Sequence, residues 1–220
     1  MVRATIATYE RNLSTMAMLN PPNVPAPAPT SDPDVQLMLR FRAGDDGAFR
    51  ELFEKHGRAI VNFAYNFVGN RSRAEELAQD VFLQVYRAGA RYEPQAKFTT
   101  WLYRIATNAC LNEVRKPERR YHVRPLENES EDDRERAEIG FADPDALQGD
   151  VALAGRQLEA RIREVLGTLP ENQRAALVLS RIDGLSYREV AETLECSESA
   201  VKSLVFRATA AMRKGLEEFL

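Results

Sequence analysis

Apolar residues at helical spacing fill two separate stretches of this chain. Between 34 and 116, residues such as Leu52 and Ile60 recur every three or four positions, and the same spacing returns from 151 to 220. This period turns one face of an α-helix toward a core, and neither stretch has the strict alternation of a β-strand. The residues 118–150 between them are charged, contain proline and glycine, and lack the period. The pattern predicts an all-α fold of two small helical domains joined by a flexible acidic linker.

Short polar motifs predict where several helices begin. The pair Asp32-Pro33 offers an acidic cap followed by a proline in the first turn, where proline is tolerated. A serine or threonine followed three residues later by glutamate is the capping-box motif, which satisfies two backbone N–H groups at a helix start. This motif predicts helix starts at Ser72, Thr168 and Ser186.

The charge of the chain is unevenly distributed along its length. The net charge is −3, but ten acidic residues and only two arginines lie between Glu127 and Asp150. The local charge there is −8, so the remainder of the chain carries +5. Mildly basic helical parts that flank an acidic segment are compatible with nucleic-acid binding.

The sequence offers no catalytic centre, metal site or cofactor site. It has no glycine-rich phosphate loop, no nucleophile elbow and no HExxH motif. Its only cysteines and histidines are Cys110, Cys196, His56 and His122, which are too scattered for a zinc site. We expect His56 on the surface near a helix end, His122 in the linker, and Cys196 as a small apolar residue in a turn. The chain is therefore expected to be no enzyme, with no catalytic residue, no metal and no cofactor.

The composition also predicts where the protein works. No apolar run approaches the roughly 18 residues needed to cross a membrane, and the first 30 residues contain no apolar stretch of signal-peptide length. They contain instead five prolines between 21 and 29, which predicts a disordered N-terminal extension. Two cysteines without CxxC spacing fit a reducing compartment. We expect a cytoplasmic protein that does not insert into the membrane.

The segment from Gly184 to Arg213 is typical of a helix-turn-helix. Its apolar positions follow the spacing of that motif's core, and the small Ala191 lies where two helices would cross closely. A second helix of this kind enters the major groove of duplex DNA. An amphipathic hairpin with a solvated basic face is the alternative, and the apolar register with a small residue at the crossing disfavours it. The face opposite the apolar stripe holds Ser199, Lys202, Ser203, Phe206 and Arg207.

The segment from Phe98 to Lys116 combines aromatic residues at its start with a basic end. Cations that follow a backbone, together with aromatic rings that stack on bases, suit single-stranded DNA. A core tryptophan at position 101 beside a solvated basic face explains the same residues equally well. The segment alone leaves both interpretations open.

Three motifs, in this order and at these separations, resemble the extracytoplasmic-function sigma factors of bacterial RNA polymerase. The resemblance covers about 34–116 and about 155–216. The motifs are AEELAQDVFL at 74–83, FTTWLYRIA at 98–106, and LSYREVA at 185–191 with the 200–203 and 206–208 residues that follow it.

The resemblance implies a domain organisation and a set of partners. We expect core RNA polymerase, through its β′ clamp helices and β flap, promoter DNA, and an anti-sigma factor as partners. Sigma domain two would bind polymerase and the −10 element, and sigma domain four would bind the −35 element. The implied boundaries are 1–32 for the extension, 33–117 for domain two, 118–153 for the linker and 154–220 for domain four.

The resemblance also implies roles for individual residues. The −35 duplex would be contacted by the helix-turn-helix face, although Leu204 and Thr209 stand where the family is often basic. The surface for polymerase would consist of Glu75, Glu76, Gln79, Asp80 and Phe82. The melted −10 strand would lie against Arg91, Lys97, Thr99, Thr100, Trp101, Arg104, Asn108 and Asn112.

A helix-turn-helix activator without sigma activity is the main rival interpretation. Response regulators of this kind have an α/β domain upstream of the DNA-binding helices. The upstream stretch here has the helical period and no alternating βα pattern. The sequence therefore favours the sigma factor.

Overall fold

The computed structural model describes residues 31–116 and 149–217, which we call the N-terminal unit and the C-terminal unit. The N-terminal unit is a helical bundle in which α2 packs on α1, α3 and α4. A short 3₁₀ turn, Gly89–Arg91, follows α3. The helices of this unit are α1 (Pro33–Arg42), α2 (Asp46–Val68), α3 (Arg71–Ala88) and α4 (Phe98–Arg115).

The C-terminal unit places two short helices against two longer ones. Helix α8 crosses α6 and α7 and also contacts α5. The end of α6 widens into a π-helical segment, Val178–Ile182, where the Asp183 N–H donates to the Val178 carbonyl at 3.0 Å. The helices are α5 (Gly149–Thr168), α6 (Glu171–Leu177), α7 (Tyr187–Leu194) and α8 (Glu198–Gly215).

The predicted all-α fold is confirmed: no β-strand occurs in 31–116 or 149–217. Helix α5 begins at Gly149, so the last residues of the expected linker are already helical. The proline-rich extension up to residue 30, the rest of the linker and His122 lie outside the described residues. None of the helices within the two units is long and apolar enough to cross a membrane.

Of the three predicted capping boxes, only the one at Ser186 is present. Asn70 caps α3 instead of Ser72, because its side chain accepts from the Arg73 N–H at 2.9 Å and the helix already starts at Arg71. Thr168 belongs to the last turn of α5, where its hydroxyl donates to the Val165 carbonyl. The first helix does start as expected, with Asp32 as its cap.

The prediction that His56 is a surface residue near a helix end is wrong. It lies within α2, its side chain is only 12% exposed, and its Nε2 is 2.9 Å from Asp34 Oδ2. Lys55 binds the other oxygen of Asp34 at 2.6 Å. Asp34 is buried and needs these partners. The cluster therefore holds the start of α1 against α2.

Candidate nucleic-acid interface

The exposed face of α8 brings together all five residues expected at the −35 element. Their positions follow helical spacing, and every one of them is exposed. Val201, Val205 and Ala208 on the opposite side are buried. Phe206 is 76% exposed, an unusual position for a large apolar ring. Two cations and an exposed ring on one helix face have the form of a major-groove surface.

The geometry of the turn before α8 follows from its polar residues. The hydroxyl of Ser186 and the carboxylate of Glu189 form the capping box of α7. Glu195 ends α7 in the left-handed region, with φ 53°, and Ser197 then caps α8 by accepting from the Ala200 N–H. This tight turn sets the angle at which α8 leaves α7.

The residues expected at the −10 element occupy α4 and the turn before it, but not all reach the surface. Lys97, Thr99 and Trp101 are partly buried. Thr100 is only 4% exposed, so the structure does not bring its side chain to this face. The exposed members of the set are Arg91, Arg104, Asn108 and Asn112.

Sequence reasoning missed the residues that hold the loop between α3 and α4. Asp32 Oδ1 accepts from the Asp34 N–H at 2.9 Å, and its Oδ2 accepts from the Phe98 N–H at 3.0 Å. One carboxylate therefore caps the starts of both α1 and α4. Arg42 donates to the Tyr92 carbonyl at 2.9 Å and so anchors the other end of the loop.

The ring of Tyr92 lies beneath this loop and supports Trp101. The two ring centroids are 5.1 Å apart at an angle of 60°. Tyr92 is 4% exposed, and burial, together with the charge of Asp32, raises the pKa of its hydroxyl to about 12. The neutral ring of Tyr92 therefore gives the Trp101 ring a fixed apolar surface to pack on. Trp101 itself remains partly exposed to solvent.

The polar face of α3 carries most of the residues expected to bind polymerase. Gln79 and Asp80 are exposed, whereas Phe82 is 3% exposed and packs in the core. Exposed apolar side chains on this side of the unit are instead Leu83 and Tyr86 of α3 and Phe53 of α2, each nearly half exposed. The sequence could have indicated Leu83 and Tyr86, because positions 79, 83 and 86 lie on the same face of a helix.

Charge pairs fix the polar side of α3. Glu75 pairs with Arg71 at 3.0 Å, and Glu76 pairs with Arg73. Arg73 also binds both oxygens of the buried Glu113, at 2.8 and 2.7 Å, and so ties α3 to α4. The hydrogen bonds that Arg73 donates to Glu113 and Glu76 raise its pKa far above the ordinary value. Within the described residues, no group of three or more His, Cys, Asp or Glu side chains could hold a metal ion.

The N-terminal and C-terminal units touch through α4 and through α2. Helices α4 and α7 are in contact, with Cα atoms within 8 Å. Tyr103 donates to Asp183 across this boundary, and Arg174 donates to the Phe67 carbonyl at 3.0 Å. Three ion pairs also cross it: Lys97–Glu189 at 2.7 Å, Arg104–Glu195 at 3.7 Å and Arg115–Glu171 at 2.7 Å.

Comparison with known proteins finds the same family in both units. The family Sigma-70 region 2 matches residues 52–120, and the family Sigma-70, region 4 matches residues 159–212. The RNA polymerase sigma-H factor of Pseudomonas aeruginosa is 34% identical over 191 residues, which are 87% of this chain and 97% of that protein. The ECF RNA polymerase sigma factor SigW of Bacillus subtilis is 30% identical over 189 residues, 84% of this chain and all of that protein.

Two solved structures share the fold. The structure of CnrH in complex with the cytosolic domain of CnrY has a TM-score of 0.63 and 26% identity, and it covers 85% of this chain and 99% of that chain. The sigma factor RpoE of Bartonella quintana, solved with the anti-sigma factor NepR, has a TM-score of 0.55 and 22% identity. That match covers 77% of this chain and 96% of RpoE, and it supports the fold.

Proposed function

The chain belongs to the extracytoplasmic-function sigma factors of bacterial RNA polymerase, and from this premise we propose that it directs core polymerase to promoters with −35 and −10 elements. It then helps to melt the −10 region so that transcription begins. The protein recognises DNA and performs no chemical step itself. The observation that carries the proposal is a candidate major-groove face on α8 and a second candidate DNA face on α4 of the same chain.

In this proposal, α8 contacts the −35 duplex. Lys202 and Arg207 bind phosphates or guanine edges, and Ser199 and Ser203 contribute hydroxyls. Ser203 already donates to the Ser199 carbonyl at 3.0 Å, which leaves its oxygen as an acceptor. Phe206 meets a thymine methyl or covers the backbone. Together these residues set the register of the protein on duplex DNA.

Helix α4 and the loop before it contact the melted −10 strand. Trp101 offers a ring for stacking, while Lys97 and Arg104 bind the backbone. Arg91 and Thr99 flank the loop, and Asn108 and Asn112 continue the exposed face of α4. Thr100 supports the helix from inside. Flipping a base costs a few kcal/mol, which stacking and a preformed loop offset.

The polar face of α3 docks on the β′ clamp helices of core polymerase, and the C-terminal unit contacts the β flap. Gln79 and Asp80 are exposed there, and Glu75 and Glu76 are paired but near the surface. Leu83 and Tyr86 add apolar area to this face. In this assignment 33–117 is domain two, 118–153 the linker and 154–220 domain four.

An anti-sigma factor regulates the chain in the cytoplasm. Support comes from CnrH, which is bound to the cytosolic domain of CnrY in the solved complex. A regulator that covers polymerase-docking surfaces would compete with polymerase for them. The extension before residue 31 has no assigned role in this proposal.

In vitro transcription tests the function directly. Purified protein is added to sigma-free core polymerase on fragments of the source genome, and transcripts are mapped with and without it. Promoter-specific transcripts that require the protein support the proposal, and their start sites define both promoter elements. If the protein stimulates only polymerase that already carries another sigma factor, the activator interpretation replaces ours. The helical N-terminal unit, which has no strand among its described residues, disfavours the α/β regulator.

A further inference from the structure

Three large apolar side chains of the N-terminal unit lie at the surface where α2 meets α3. Phe53 is 45% exposed, Leu83 45% and Tyr86 49%. Single exposed apolar residues are common on proteins, but a group of them on one surface marks a binding site. We call these three side chains, together with the rings of Phe49 and Phe82 that pack against them, the aromatic patch.

Ring contacts hold the aromatic patch in one arrangement. The rings of Phe53 and Phe82 meet edge to face, with centroids 4.9 Å apart. Phe49 lies 6.5 Å from Phe82 and 5.2 Å from Tyr86, so a continuous row of rings joins α2 to α3. A surface that is already ordered loses little entropy when a partner binds. The patch is therefore preformed for an apolar partner.

The beginning of the chain has a sequence that fits such a surface. Five apolar residues follow one another there at spacings of four, three, four and three, namely Val2, Ile6, Tyr9, Leu13 and Met16. In an α-helix this spacing places all five on one face. The prolines of the extension come later, between 21 and 29, and do not interrupt the stripe. Residues 2–16 therefore have the pattern of a segment that binds an apolar surface as an amphipathic helix.

The chain that joins this segment to the N-terminal unit is long enough to bring the two together. Helix α1 has 10 residues and is about 15 Å long. Its last turn carries Phe41, whose ring lies 5.1 Å from that of Tyr86. The proline-rich residues 21–30 span about 31 Å when extended. A tether that ends at Ser31 can therefore lead back along α1 to the aromatic patch.

We propose that residues 2–16 bind the aromatic patch of the same chain as an amphipathic helix. Leu83 and Tyr86 belong both to the patch and to the surface that the proposed function gives to core polymerase. The segment and polymerase therefore compete for one surface, and polymerase displaces the segment when it binds. This consequence rests on the proposed function, whereas the contact itself is independent of polymerase.

The tether makes a weak contact sufficient. A short linker gives an effective concentration of about 1 mM, at which a contact with a Kd of about 0.1–0.5 mM is occupied in roughly 70–90% of the molecules. The affinity of the protein for a competing partner falls in proportion to the fraction whose patch is free. The segment is therefore expected to weaken polymerase binding roughly three- to tenfold.

Photo-cross-linking of the full-length protein tests the contact. p-Benzoylphenylalanine replaces Tyr9, on the apolar stripe, and in a matched control it replaces Thr15, on the other side of the same helix. At low protein concentration, we expect the probe at position 9 to link to peptides that contain Phe53, Leu83 or Tyr86, in the monomer band.

Absence of these links, or an equal yield from position 15, would overturn the proposal. Links that occur only in the dimer band would overturn it as well, because the patch would then be an interface between two copies of the chain.

A pair of double variants tests the competition. Ile6→Asp with Leu13→Asp places two charges on the apolar stripe. The control, Thr8→Asp with Thr15→Asp, makes the same change in charge at the same separation of seven residues, but away from the stripe. The affinity of fluorescently labelled protein for core polymerase is measured for both variants and for the unmodified chain.

We expect the stripe variant to bind core polymerase roughly three- to tenfold more tightly than the control, which should match the unmodified chain. Equal affinity of the two variants would overturn the competition. If none of the three proteins binds core polymerase, the proposed function fails instead. The photo-cross-links still decide in that case whether the segment binds the patch.

Discussion

The hydroxyl of Tyr103 donates a hydrogen bond of 2.9 Å to Oδ1 of Asp183, a residue 80 positions further along the chain. The second oxygen of Asp183 is buried and has no hydrogen-bond partner among the described residues. Burial raises the pKa of Asp183 to about 7, and the bond from Tyr103 offsets only part of this effect. This carboxyl group at the boundary between the units therefore keeps its proton up to about pH 7 while the two units are in contact, an arrangement that we call the closed state.

Closure is expected to weaken as the pH rises through about 7. When the units separate, Asp183 returns toward its ordinary pKa of 3.8, so the closed state holds the proton more tightly. This contribution to closure is present at lower pH and is lost as the pH rises through the pKa of the closed state. Small-angle X-ray scattering should show a larger radius of gyration at about pH 8.5 than at about pH 5.5.

The variant Asp183→Asn isolates this titration. It keeps an oxygen that accepts from Tyr103 but cannot ionise. Its radius of gyration should change much less between the two pH values than that of the unmodified protein. An unchanged pH dependence would assign the effect to another group.

Trp101→Ala should impair promoter opening more than it impairs folding. The ring packs on Tyr92 and Phe98, at 5.1 and 5.9 Å between centroids, but remains partly exposed. We expect a loss of roughly half of the about 3–5 kcal/mol seen for fully buried rings. Duplex −35 binding should persist, and a template with an open −10 region should restore part of the transcription. If the variant no longer folds, Trp101 serves only as a core residue and the role in promoter opening is contradicted.

Lys202→Ala and Arg207→Ala should each weaken binding to the −35 duplex. Both residues are exposed on α8, and neither is buried in the core. Removing one phosphate contact lowers the slope of log K against log salt by about 1. Lys214→Ala, in the last turn of the same helix, is the matched control and should leave the slope unchanged. Fluorescence anisotropy across a salt series measures all three.

Asp32→Ser should lower selectivity at the −10 element while preserving the start of α1. Serine is as good a helix cap as aspartate, but its single hydroxyl cannot also reach the Phe98 N–H, which Asp32 Oδ2 binds at 3.0 Å. The loop before α4 then loses its anchor. Transcription from templates with single −10 substitutions should discriminate less well, with −35 binding unchanged. If the variant still discriminates fully between the −10 sequences, Asp32 does not position this loop.

Glu113→Gln should destabilise the N-terminal unit by about 3 kcal/mol, because it removes the buried counter-charge of Arg73. Glu113 is 2% exposed and binds both Arg73 and Lys116. Glu76→Gln, which removes the exposed partner of the same arginine, should change stability by about 0.5 kcal/mol or less. Urea unfolding of the two variants compares the buried and the exposed pair directly.

The helix-turn-helix and its exposed face were predictable because they depend on local spacing. Val190, Val201 and Val205 are buried at the positions that the apolar register indicated. The capping box at Ser186 formed for the same reason, since its partner is three residues away. Asn70 displaced the predicted cap at Ser72 because it directly follows Gly69, whose left-handed φ of 66° already ends α2.

The contacts that position the DNA-binding faces were not predictable in this way. Asp32 meets Phe98 at a separation of 66 residues, and Lys97 meets Glu189 at a separation of 92. No periodicity relates residues so far apart. Phe82 and Thr100 were expected in binding surfaces, but both are buried. A motif shared with a family does not state which side of the helix each of its residues faces.

At Glu195, local backbone stability and the contact between the two units favour different residues. A side chain with a Cβ is strained at φ 53°, and glycine would relieve about 0.5–1 kcal/mol there. The same replacement would remove the carboxylate that faces Arg104. A screen for heat-resistant variants would therefore favour chains whose two units are held together less tightly. In such a screen, a higher melting temperature and a larger radius of gyration should arise together at this position.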